Sequence, residues 1–230
     1  MPYDADLVLR GQYSSAYVDL VTGDTAPTTE TVEAGGNVVV DLGAGGADMR
    51  GLDCVVILHD TPTTYQDTCD IVIQDSHHVA AGYQAVLTFP RLYCYMRELI
   101  VTATTAFVAG DIGQVLTATI SLDTGVIREF SRELLTVGGI GKMWVEMQDA
   151  ADTYATSGVT LSSAVTGVGT LTVVGRVIQT PLIMVRRFST PKRYIRCSIT
   201  VSATGNWGDV DILVTGAQHS HKDNLYRSHV

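Results

Sequence analysis

His77 and His78 beside Asp75 form the strongest metal-binding candidate in this chain. Neighbouring residues on an extended backbone point to opposite faces, so both imidazoles cannot readily grip one ion, and a solvated turn accounts better for the run. His219 and His221 share a face if extended, but no cysteine or carboxylate stands beside them at ligand spacing. That stretch reads as a polar tail that docks on a partner. Asp60, Asp67 and Asp70 can cap turns or hold calcium. The Asp-x-Asp-x-Asp-Gly loop is missing, however, and turn capping is the expected role.

Nucleophilic chemistry finds no better footing. There is no serine on a Gly-x-Ser-x-Gly elbow, and no cysteine has a plausible histidine beside it. Cys54, Cys69, Cys94 and Cys197 are widely spaced inside apolar or alternating runs and form no CxxC pair, so they read as buried free thiols. Gly43-Ala44-Gly45-Gly46 lacks the Lys-Ser/Thr ending of a phosphate loop and has no helical pattern after it, which leaves turn chemistry. Tyr194, Trp207 and Trp144 are the aromatic side chains that could stack on a sugar. Edge packing against a second sheet is the plainer account of Tyr194 and Trp207. No catalytic residue, cofactor or metal is expected.

The elements that would position these residues are strands. At 230 residues the chain can bury a core without staples, and its 46% hydrophobic and 17% charged residues exclude wholesale disorder. Val38–Leu42, the alternating Cys69, Ile71 and Ile73, and then Tyr83, Ala85, Leu87 and Phe89 all read as strands. Leu52–Leu58 reads as a central strand covered on both faces. Near the end, Ile195, Cys197, Ile199 and Val201 alternate with polar neighbours, and the beat resumes at Val210, Ile212 and Val214. These two runs, with the turn between them, predict a half-buried antiparallel hairpin. Short strands with turn signals between them indicate a sandwich or barrel. Residues 103–172 change character and read as a β-rich insertion. Within it, Ile127, Phe130 and Leu134 fit either a short helix or a strand with a bulge.

The formal charge of -9 is unevenly placed. Residues 1–89 hold 13 acids and two bases, residues 90–175 eight and five, and residues 176–230 three and eight. An acidic front and a basic back suggest complementary contact, within one subunit or between neighbours; uneven surface charge is the alternative. So acidic a chain is a poor partner for nucleic acid. Nothing approaches the ~20 apolar residues of a spanning helix, and Met1–Asp6 has no signal-peptide character. A soluble protein made in a reducing cytoplasm, with no membrane partner, is expected.

Several stretches together carry a family resemblance: Asp4 to Arg10, Val39 to Gly43, Asp67 to Ser76, and Arg193 through Val210. They resemble the capsid cement, or decoration, proteins of tailed bacteriophages, over residues 1–102 and 176–230. The start of the insertion, Val108 to Gly113, is similar to small β modules of other phage structural proteins. The resemblance implies an all-β jelly-roll sandwich on the outer surface of the head, made in the bacterial host cytoplasm. It also implies a homodimer or homotrimer that clamps neighbouring copies of the major capsid protein. The expected organisation is a jelly-roll core from 1–102 and 173–216, the insertion at 103–172, and a tail at 217–230. Contacts are expected from the termini and the insertion: Leu7, Leu9 and Arg10 at the start, Tyr194 and Trp207 around the closing strands, and His219, His221, Tyr226 and Arg227 in the tail. The rival reading is a carbohydrate- or receptor-binding β module of a phage tail, with the three aromatic residues as its platform.

Overall fold

A computed structural model describes residues 8–11, 20, 26–31, 33, 36–43, 46–59, 67–149, 151–155, 157–173, 182–202 and 206–216. The protein is all-β. In chain order its strands are β1 (Val8–Arg10), β2 (Val40–Asp41), β3 (Ala47–Leu58), β4 (Thr68–Ser76), β5 (Gln84–Thr88), β6 (Leu92–Tyr93), β7 (Met96–Thr105), β8 (Val115–Ala118), β9 (Thr124–Phe130), β10 (Ile140–Met147), β11 (Thr160–Ser163), β12 (Val168–Val173), β13 (Leu182–Thr190), β14 (Tyr194–Val201) and β15 (Val210–Gly216). They divide into two compact units. The first takes Met1–Thr61, Thr68–Leu92 and Thr180–Val230, and the second takes Pro62–Asp67 and Tyr93–Gln179.

In the first unit, β1, β15, β3 and β13 form one antiparallel sheet in that order, and the other sheet runs β2, β14, β4 and β5, with the short β6 paired to β4 off that path. Four ladders are nested inside one another: β4 with β5, β3 with β13, β2 with β14, and β1 with β15. Successive pairs alternate between the two sheets. The strands explain themselves by their period of two. Cys69, Ile71 and Ile73 of β4 are buried while Asp70, Val72 and Gln74 are half-buried. β3 follows the same rule, with Leu52, Cys54, Val56 and Leu58 inside and Asp53, Val55 and Ile57 only partly covered. It is central, between β15 and β13, but it is not the uniformly buried strand its apolar run predicts. The thiols of Cys54, in the other sheet, and Cys69 lie near enough to Cys197 to add to the burial that raises its pKa, so side chains of both sheets meet in one core, as a β-sandwich requires.

The predicted hairpin at the end of the chain is corrected. β14 pairs with β4 and β2, whereas β15 pairs with β3 and β1, so the two strands belong to different sheets. The eight residues between them exceed the two to five typical of a hairpin loop, as a connection between strands of different sheets allows. Trp207 is buried on that connection, 1% exposed, and its amide bonds the Leu20 carbonyl at 2.9 Å. β15 is buried from Val210 through Val214, including Asp211, which is held by His59 Nε2 at 2.8 Å.

Part of the uneven charge is paired inside this unit. Arg193 Nε donates to Asp41 at 2.8 Å, Arg187 Nε to Asp53 at 3.0 Å, and Lys192 Nζ to Asp75 at 2.7 Å. Each pair joins an acid of the front segment to a base of the closing segment, and Arg187 stands directly across the ladder from Asp53. The Asp75 pair is the most enclosed, because Thr190 Oγ1 of the facing sheet also donates to that carboxylate, at 2.6 Å.

All four cysteines are free and buried. Burial pushes the Cys54 thiol up to about 12, and that of Cys197 well above its ordinary value. The thiolate is the reactive form, so none of the four should titrate with a disulfide reagent at pH 8 in the folded protein, and all four should react in denaturant. Rapid reaction of even one thiol under native conditions would contradict the packing of its strand.

The second unit is a closed antiparallel barrel in the order β10-β7-β12-β11-β8-β9. Its interior is filled by Leu99, Val101, Phe107, Ile127, Val145 and Leu161, among others, all fully buried. Leu99 and Val101 belong to β7, so the insertion begins ahead of residue 103: its first strand starts at Met96. Both readings of Ile127, Phe130 and Leu134 hold a part of the answer. β9 runs to Phe130 with a register shift opposite Trp144 and Val145, and a 3-10 turn over Arg132–Leu135 then buries Leu134. Among the described residues no helix is long and apolar enough to cross a membrane.

Candidate functional site

Of the twelve large apolar side chains exposed among the described residues, ten lie in the barrel unit, which concentrates the apolar surface there. Strand directions sort them. The antiparallel ladders bring the connections β7–β8 (106–114), β9–β10 (131–139) and β11–β12 (164–167) to one end of the barrel. The unit's entry before β7 and exit after β12 lie at the other end. On the three loops Val108, Ile112, Leu135, Val137 and Val165 are 41–65% exposed. Val115 and Ile140, the first residues of β8 and β10, extend the same apolar rim.

These loops are tied to one another. The Asp111 carboxylate is the central fastening: Oδ2 accepts from the Val108 amide at 2.8 Å, and Oδ1 accepts from Ser163 Oγ at 2.6 Å and the Thr166 and Gly167 amides at 3.0 and 3.2 Å. Phe107 N bonds the Leu134 carbonyl at 2.9 Å, joining the first loop to the second, and Ala164 N bonds the Val115 carbonyl at 3.0 Å. Gly167 leaves room for the Phe107 ring, which any Cβ at that position would strike. The apolar side chains therefore stand on a braced platform, and exposed apolar patches of this kind mark interaction sites.

At the opposite end the β8–β9 turn carries Ile120 and Leu122, 76% and 69% exposed. Leu122 has φ +60°, a left-handed backbone that costs a branched side chain roughly 1–3 kcal/mol. The turn is held by Asp123, whose Oδ2 accepts from Ser121 Oγ and from the buried Tyr154 amide at 2.8 and 2.7 Å.

One charged cluster sits on the barrel wall. The register shift in β9 falls at Arg128, and bulges of this type re-aim a side chain. Arg128 Nε donates to Glu146 Oε2 at 2.7 Å, its Nη2 donates to the same oxygen, and its guanidinium lies 4.4 Å over the Tyr93 ring. The Glu146 side chain is fully buried. Burial raises its pKa above the ordinary carboxylate value, with Arg128 opposing and Asp67 adding to the rise. The arrangement is a buried ion pair capped by an aromatic ring, with a second carboxylate, Asp67, near enough to act on Glu146.

The structure redistributes the residues predicted to make contacts. Leu9, Arg10 and Trp207 are at most 1% exposed and pack inside the first unit, with Arg10 Nη1 donating to Asn37 at 3.1 Å. For Trp207 this is the packing that was the plainer reading of the sequence, and within this unit none of the three side chains is left exposed for a contact. A buried Trp207 also offers no sugar-stacking face. Tyr194 is half-buried under the Arg193 guanidinium, 5.0 Å from its ring centroid. Leu7, His219, His221, Tyr226 and Arg227 lie outside the described residues. His77 and His78 are exposed in a bend, while Asp75 turns inward to Thr190 and Lys192 and does not join them. Asp70 is paired with Arg91 at 2.7 Å, Asp67 is buried and Asp60 is outside the described residues. Among the described residues no three His, Cys, Asp or Glu side chains group as metal ligands do.

The apolar loop residues were the ones sequence reasoning missed. Val108 and Ile112 lie in a stretch broken by Gly110, Asp111 and Gly113, and Val137 precedes Gly138-Gly139. Large apolar residues set among glycines without alternation were the available signal. The chain matches none of the protein-family models, curated proteins or solved structures with which it was compared.

Proposed function

We propose that the chain is a structural virion protein, a cement or decoration protein that binds the outside of a phage head and clamps neighbouring major capsid protein subunits. Strand order is the observation that carries the reading. If the two-residue β6, which pairs β4 off the main path, is set aside together with the barrel, the other eight strands pair first with eighth, second with seventh, third with sixth and fourth with fifth, alternating between sheets. A long hairpin rolled over on itself would have that pattern, and it supports a jelly roll of the kind used by viral capsid and lectin domains. The family resemblance covers the same strands, and pairing of front acids with closing bases suits a sandwich that must stay closed under load. Burial of Trp207 weakens the sugar-binding alternative that lectin-type jelly rolls would otherwise favour.

Electron microscopy of purified particles tests this directly: density for the chain should cover the outer head. Deleting residues 217–230 should lower head occupancy while leaving the unfolding transition unchanged. Density confined to the tail, or absent from particles, would sink the reading.

A further inference from the structure

We propose that the loop-bearing end of the barrel is a two-fold contact between two copies of this chain. The proposal goes beyond the capsid reading and does not depend on it. Its apolar side chains, Val137 and Ile140 foremost at 65% and 58% exposed, offer a partner on the order of 600 Å². That approaches the roughly 800 Å² each partner contributes to a standard interface. The loops are already braced through Asp111 and the Phe107–Leu134 bond, so little ordering opposes association.

The charges select the occupant. The three loops carry only Asp111, Arg132 and Glu133. Asp111 is buried and fully engaged, which leaves one exposed cation next to one exposed anion on the same 3-10 turn. An isologous contact needs a surface that complements itself, and a two-fold axis sets Arg132 of each copy against Glu133 of the other. Phosphate-bearing partners would look for a basic cluster, which these loops do not have. Two copies of net charge -9 repel elsewhere, and this neutral apolar end is where they can meet.

Sedimentation velocity and light scattering on the purified full chain test it. A dimer of twice 24.6 kDa is expected. Val137→Asp should weaken it at least ~30-fold. Arg132→Glu should weaken it ~5-fold, and the swap Arg132→Glu with Glu133→Arg should restore it. Ile120→Asp, at the other end of the barrel, is the control and should leave the dimer intact. All four variants alter exposed side chains, so their thermal unfolding should match the parent chain and separate lost association from lost fold.

A monomer at about 100 µM, a trimer, a dimer indifferent to Val137→Asp, or a swap that fails to restore association would each overturn the proposal. So would a monomer that binds vesicles or heads through Val137. Head occupancy is measured separately: a chain that dimerises but leaves heads bare loses the capsid reading and keeps this one.

Discussion

Replacing Asp111 by alanine is expected to cost the barrel about 3 kcal/mol, read as a lower urea midpoint with an unchanged slope. The carboxylate is fully buried and is the acceptor for three backbone amides and one hydroxyl drawn from two separate loops. Without it those amides keep no acceptor in a place water reaches poorly, and each unmade bond costs roughly 1–3 kcal/mol, partly relieved by relaxation. Asp111→Asn should recover only a fraction, because its amide nitrogen faces donors. The pH dependence has a definite sign. Burial alone would raise this pKa, but the bonds from Ser163, Val108, Thr166 and Gly167 outweigh it and hold the group below the ordinary 3.8. A depressed carboxylate stabilises the fold fully above the unfolded value and loses that contribution as pH falls through the folded one. The gap between the parent chain and Asp111→Ala should therefore be complete at pH 6 and shrink below pH 4. Equal midpoints at pH 7 would contradict the bracing role.

Arg128→Met should destabilise the barrel by about 3 kcal/mol at pH 8, because it strands a fully buried Glu146 carboxylate without its cation. Adding Glu146→Gln should return most of that loss, since a buried pair replaced on both sides is far less costly than one broken on a single side. Here the sign is reversed. The Glu146 pKa is already raised, chiefly by burial, and loss of Arg128 raises it further. A raised carboxylate favours the folded state at low pH and loses that advantage as pH rises through the folded value. The Arg128→Met deficit should thus be small near pH 5 and grow toward pH 8. Additive single-variant effects in the double-mutant cycle would show that the pair is not coupled.

The sandwich strands were legible because period-two burial is written directly in residues such as Cys69, Ile71 and Ile73. Their pairing was not. The runs 194–201 and 210–216 have the same alternation whether they pair with each other or lie in opposite sheets, and pattern alone cannot separate those cases. The partners that decide it, β3 and β4, lie more than a hundred residues earlier. The free thiols were readable because each sits at an inward position or within an apolar run. The start of the barrel was not, since Leu99 and Val101 serve a barrel interior as well as they would serve a sandwich face. The burial of Arg10 was not legible, because a large amphipathic side chain carries no mark of which side of a surface it occupies, whereas packing was already the plainer reading of Trp207. The apolar barrel end was hidden because it is assembled from three loops, and no single loop has a periodic signal.

The nesting of the sandwich ladders bears on how the chain comes to be folded at all. Val8 is registered against Leu213, so β1 has no ladder partner until about two hundred further residues have left the ribosome. The barrel strands are contiguous from Met96 to Val173, and every ladder among them can close while the last strands are still being made. Synthesis thus delivers the barrel first, carrying its apolar end, while β1, β2 and β3 wait for β15, β14 and β13 to close the sandwich ladders around the β4–β5 pair.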